Sequence, residues 1–93
     1  MTTSTLQEIA AQVAEQRRLH AALAANPRPC AFRMRGGTAV IHANTHPGHV
    51  GDWRVSYLTE DDEPSGHAEA SDFAEALTIA RRAGADLSAE VKP

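Results

Sequence analysis

The sequence predicts a small α+β domain of order α-β-β-β-(β)-α: an antiparallel meander sheet with both helices packed on one face. Three observations predict it. Apolar residues recur at helical spacing near both ends of the chain, alternating apolar and polar runs lie between them, and glycine-rich turns separate those runs. With 93 residues and 42 % hydrophobic content, the chain suits one domain with a modest core.

The first helix is expected over about 5–25. Thr5-Leu6-Gln7-Glu8 fits a capping box, in which hydroxyl and carboxylate each satisfy an orphan amide. Leu6, Ile9, Val13, His20 and Leu23 follow at helical spacing, and Pro27 disfavours helical geometry at Asn26. The stripe also takes in Gln16 and His20, which implies a face only partly covered by its own domain, or covered by another subunit.

Strands are expected over about 31–35 and 38–44, on either side of Gly36-Gly37, a pair that tolerates the positive φ of a two-residue hairpin. That turn sets Met34 against Ala39 and Phe32 against Ile41 on one face. Arg35 then opposes Thr38, and Arg33 opposes Val40, on the other. The next connection holds His46-Pro47-Gly48-His49, a type II turn signal. A tight hairpin there would mix faces. A slip of one residue sets Ala43 against Trp53, Ile41 against Val55 and Ala39 against Tyr57, so one extra residue is expected, as a bulge at Gly48 or Gly51.

The third strand is expected over about 52–59, followed by a loop over 60–66 that opens on the solvated acidic run Glu60–Glu63, and a short alanine-rich fourth strand over 67–70. The last helix is expected over about 72–83, with Ser71 as N-cap, Asp72 and Glu75 in its first turn, and Gly84 just past its end. The tail, 85–93, is expected to fray. The expected core is Ile9, Val13, Phe32, Met34, Ile41, Trp53, Val55, Tyr57, Phe73, Leu77 and Ala80.

Charge is segregated along the chain. Residues 16–51 contain no acid, yet hold Arg17, Arg18, Arg28, Arg33 and Arg35 and four of the five histidines. Net charge is −3, so this basic middle sits between acidic flanks. In the expected register Arg33, Arg35, His42 and Arg54 share the outer sheet face, which makes them the candidate partner-binding residues.

Other chemistry is weaker. His42-x3-His46-x2-His49 has metal-like spacing, but an extended strand separates His42 from His46 by about 13 Å. The alternative metal site is therefore His42, His46 and His49, or His46 and His49 with His67. The single cysteine, Cys30, forms no internal disulfide and reads as a small buried hydrophobe. No nucleophile elbow, phosphate-cradling glycine loop or calcium loop is present, and no cofactor is implied. The N-terminal residues lack the charged and apolar regions of a signal peptide, and no run is long enough to span a bilayer, so a soluble cytoplasmic protein is expected.

The helix–three strands–helix order resembles that of double-stranded-RNA-binding domains, and its strand–strand–helix half resembles small sheet-reading DNA-binding modules. Those RNA-binding domains carry a basic cluster at the start of the last helix. This chain has Ser71-Asp72-Phe73-Ala74-Glu75 there, so the likeness stops at element order. The expectation is a non-catalytic binding or accessory protein acting through protein–protein contact or self-association as a homodimer. The alternative is nucleic-acid binding through Arg33, Arg35 and Arg54.

Overall fold

The structure, a computed structural model, describes residues 2–45, 48 and 51–91. Its elements are α1 (Thr2–Ala24), β1 (Cys30–Met34), β2 (Gly37–Ala43), β3 (Trp53–Thr59), β4 (Pro64–Ala70) and α2 (Phe73–Arg82). The four strands form one antiparallel sheet in the order β1-β2-β3-β4, the expected meander with its fourth strand at full length. The fold is α+β. The α2 helix covers the sheet's apolar face, and α1 lies beside it.

The β2–β3 pairing is the one that face-matching selects: Ala43 faces Trp53, Ile41 faces Val55 and Ala39 faces Tyr57. The Asn44 amide donates to the Asp52 carbonyl at 2.9 Å and extends the ladder. Of the His46–His49 turn, only Gly48 lies within the described residues. The register shift that the sheet does show is between β3 and β4, at Tyr57/Leu58.

The β1–β2 register differs from expectation by two residues. Phe32 faces Ala39, Arg33 faces Thr38 and Met34 faces Gly37. The turn is Arg35-Gly36, with Gly36 at φ +81°. Gly37 belongs to the strand, because a Cβ there would collide with the Leu58 carbonyl oxygen of β3. It is thus a close-approach glycine rather than a turn glycine.

Both helix starts also differ. The α1 helix begins at Thr2, so Thr5 lies inside it and does not cap its start. In α2 the N-cap is Asp72, not Ser71. Its carboxylate accepts the Glu75 amide at 2.7 Å, while the Ser71 hydroxyl donates to the Glu75 carboxylate at 2.6 Å. At the other end the Ala85 and Gly84 amides donate back to the Ala80 and Arg81 carbonyls, closing a Schellman motif around Gly84.

Phe32, Ile41, Val55 and Leu77 are the largest fully buried side chains. Phe73 and Ala80 join them, and Met34, Trp53 and Tyr57 pack against this cluster from its rim. Two expected core residues are misplaced: Ile9 is 51 % exposed and Val13 43 % exposed. They lie on the half of α1 that passes beyond the domain.

The tail corrects another expectation. Residues 85–91 do not fray but run along the outer edge of β1. The Asp86 amide donates to the Arg33 carbonyl, the Arg33 amide to the Ala89 carbonyl, and the Val91 amide to the Ala31 carbonyl, at 2.8–3.0 Å. Arg28 clamps Glu90 at 2.8 Å, and Ala85 and Leu87 are buried. Covering β1 satisfies backbone groups that an edge strand leaves open to other chains.

Candidate functional site

The sheet's outer face holds three of the four residues the sequence nominates, Arg33, His42 and Arg54, and it divides them. Arg33 is on β1, opposite Thr38. His42 and Arg54 face each other across β2 and β3. Thr38 and His42 are four residues apart on β2, about 13 Å, so the two arginines occupy opposite ends of the sheet. Arg35 is not on the sheet face at all, since the register places it in the turn.

Acids accompany each end. Glu60 and Asp62 line the same groove as Arg33, a cleft of about 510 Å³. Glu69 stands directly opposite Arg54 on β4 and accepts a hydrogen bond from the Asn44 side-chain Nδ2 at 3.2 Å. The face is therefore mixed in charge rather than basic.

The His42 ring is fixed at both nitrogens. Nδ1 lies 3.1 Å from the Ala43 carbonyl, and Nε2 lies 2.8 Å from the Ser56 hydroxyl. A carbonyl only accepts, so Nδ1 carries the proton in the neutral ring, and Ser56 donates to Nε2. His67 stands opposite Ser56 on β4. Among the described residues no three His, Cys, Asp or Glu side chains converge as a metal site; His46 and His49 of the metal alternative lie outside those residues.

Cys30 shows no nucleophilic activation. Burial pushes its thiol up to about 11, against the partial opposition of Arg28, while Glu90 pushes the same way as burial.

The other candidate surface is α1. Its C-terminal half is docked, with Leu19, Leu23 and Ala24 packed against the core. Gln16 ties it to the tail: its Oε1 accepts the Leu87 amide and its Nε2 donates to the Asp86 carboxylate, both at 2.9 Å. One turn on, His20 Nδ1 accepts from the Arg81 guanidinium at 3.2 Å, so the ring proton is on Nε2. Burial chiefly, and the Arg81 charge next, lower the His20 pKa; a hydrogen bond with the Ala74 backbone opposes them.

Asp86 and Leu87 follow α2 in the chain, so α1 passes the C-terminal end of α2 at Gln16 and continues outward. Residues 2–15 form this outer half, about 21 Å of helix, of which Ala11, Gln12 and Glu15 line a groove with Asp86 and Ser88 of the tail. The molecule is correspondingly elongated, 52 × 30 × 23 Å. Among the described residues, Leu6, Ile9 and Val13 are the exposed large hydrophobic side chains, at 66, 51 and 43 %. With Gln16, His20 and Leu23 they form one stripe whose steps alternate between three and four residues, the spacing of a helix that packs along another helix. The inner half of that stripe is occupied within the domain.

The sequence exposed part of this arrangement. Two polar residues, Gln16 and His20, interrupt the stripe, and they mark where contact with the sheet core gives way to contact with α2 and the tail. Leu6 was on the stripe but not among the nominated site residues. No family model, curated protein or solved structure matches the chain.

Proposed function

We propose that this chain is a non-catalytic binding protein that works through protein–protein contact, with the overhanging half of α1 as its docking element. The observation that carries this reading is the exposure of Leu6, Ile9 and Val13 together on one helix stripe. Full burial of such a side chain is worth about 1.5–3 kcal/mol. At these exposures the three together offer roughly 2–5 kcal/mol to whatever covers them. A single exposed leucine needs no explanation, but three large apolar side chains in one stripe, bordered by Thr5, Ala10 and Gln12, mark an interaction surface.

The nucleic-acid alternative lacks a comparable observation. Arg33 and Arg54 are far apart, each is accompanied by acids, and the aromatics that would stack on bases sit in or around the core.

The test is affinity capture from the native host with two baits, the wild-type chain and Ile9→Glu. The reading expects at least one protein, which includes the chain itself, to be retained by the wild type and lost with the variant. Identical retention by both baits would refute it.

A further inference from the structure

We propose that Ser56, on the outer sheet face, is a nucleophile that takes up one acyl group from an activated ester or thioester, with His42 as its general base. The site is separate from the docking element, since α1 lies beside α2 on the other side of the sheet. The β2–β3 register builds it. His42 faces Arg54, and Ser56 follows Arg54 by two residues, so the histidine and the serine are diagonal neighbours on one face. The alternation that buries Ile41 and Val55 beneath α2 is what turns both of them outward.

The direction of one hydrogen bond carries the proposal. The Ser56 hydroxyl lies 2.8 Å from His42 Nε2, and the Ala43 carbonyl oxygen lies 3.1 Å from Nδ1. The carbonyl offers only lone pairs, so the neutral ring keeps its proton on Nδ1 and turns the bare Nε2 lone pair to the hydroxyl. The opposite tautomer would set lone pair against lone pair at Ala43. A nucleophile hydrogen-bonded to a base, with that base oriented by a third group, is the arrangement that activates a serine. Here the third group is a backbone carbonyl instead of a carboxylate.

His42, Asn44, Thr45, Arg54 and Ser56 line a cleft of about 250 Å³. That is below the usual range of small-molecule pockets and suits a short acyl chain. In the transfer, Ser56 Oγ bonds to the acyl carbon as its proton passes to His42 Nε2. Collapse of the tetrahedral intermediate then breaks the bond to the leaving oxygen or sulfur. The leaving group takes the proton from Nε2, or departs as an anion while Nε2 returns the proton to water. Arg54 is the cation at hand for the negative charge that the acyl oxygen gains. Uptake of one acyl group per chain is a modification, not a turnover, and it goes beyond the docking reading without altering it.

The experiment is acetylation of the purified chain by p-nitrophenyl acetate at about pH 8, where an ordinary imidazole is neutral, followed in time by peptide mass spectrometry. Ser65, Ser71 and Ser88 are internal standards, because their hydroxyls donate to carbonyl or carboxylate oxygens instead of an imidazole. Ser56 should be acetylated about 10²-fold faster than any of them, and urea should erase the difference. His42→Gln should remove most of that advantage with the thermal melt unchanged, and Ser56→Ala should remove the label from this peptide. Ile9→Glu should leave the Ser56 labelling as it is, so this proposal and the docking reading fail separately. A native wild-type chain in which Ser56 reacts no faster than the other serines overturns the proposal, whatever the variants do. So does an advantage that persists in urea, or one that survives in a folded His42→Gln chain.

Discussion

Two adjacent glycines that look equivalent in the sequence should respond very differently to the same substitution. Gly37→Ala places a methyl group against the Leu58 carbonyl oxygen, with the Leu58 and Thr59 carbonyl carbons close behind. All three atoms are backbone, so no side chain can turn aside. Relief requires β2 to move away from β3 where Gly37 faces Thr59 and Thr38 faces Leu58. Two or so ladder hydrogen bonds weaken, at about 0.5–1.5 kcal/mol each, and packing near Met34 loosens as well. A cost of about 2–4 kcal/mol follows. Gly36→Ala has open space around its methyl group but must hold φ near +81°. That costs about 1–2 kcal/mol for an L-residue, offset by about 0.4–1 kcal/mol from the stiffer unfolded chain. The assay is thermal unfolding followed by Trp53 fluorescence. For a domain of this size, Gly37→Ala should lower Tm by roughly 10–25 °C and Gly36→Ala by about 10 °C or less. Equal losses, or a greater loss at Gly36, would refute the register and the close-approach argument with it.

Three further outcomes follow from the packing. Leu87→Ala, which removes a side chain only 3 % exposed, should cost about 2–4 kcal/mol in urea unfolding, although the residue lies in what the sequence reads as a frayed tail; a change near zero would mean that the tail does not hold β1. Cys30, with its thiol pushed up to about 11, should resist iodoacetamide at pH 8 in the native chain and react readily in denaturant; equal rates in the two states would show an accessible thiolate. His20 has a folded pKa below its ordinary 6.5, so the unfolded chain takes up the proton first. The stability it contributes is complete above pH 6.5 and is lost as pH falls through the depressed folded value. His20→Gln should flatten that part of the stability profile, and an unchanged acid limb would remove His20 as its source.

What was legible in the sequence follows from what a pattern can encode. The β2–β3 register could be read because a slip of one residue turns Trp53, Val55 and Tyr57 to the wrong face. The β1–β2 register could not, because a slip of two leaves every side chain on its proper face. Phe32 faces Ala39 instead of Ile41, yet all three stay buried. The deciding fact was the approach of the Leu58 backbone to Gly37, which is set by a strand twenty residues away in the chain. The α1 stripe was visible as periodicity, but periodicity reads the same whether the covering surface is the chain's own core or another molecule. That is why Ile9 and Val13 were placed in a core they do not enter. Ala85 and Leu87 were missed for the opposite reason, since two apolar residues in a short polar tail make no pattern.

The basic window shows how far a linear charge pattern survives folding. Arg28 is paired with Glu90, and Arg33 shares a groove with Glu60 and Asp62; Arg54, just beyond the window, stands opposite Glu69. Each of these acids lies outside the window, so the fold brings the acidic flanks back onto the basic middle. Charge separated along the chain is largely mixed in space, and the feature that stays unbalanced is apolar, the stripe Leu6–Ile9–Val13. The two sources of binding differ in their response to salt. A contact made by arginine to phosphate weakens steeply as salt rises, through counterion release. A contact held by apolar burial on the α1 stripe should weaken only modestly between low and high salt as the Debye length shrinks. It should also weaken on cooling, as the hydrophobic contribution falls. Capture by the wild-type chain at two salt concentrations and two temperatures separates the cases. A capture that collapses with salt and is indifferent to temperature would return the interface to the arginines of the sheet face and take it away from α1.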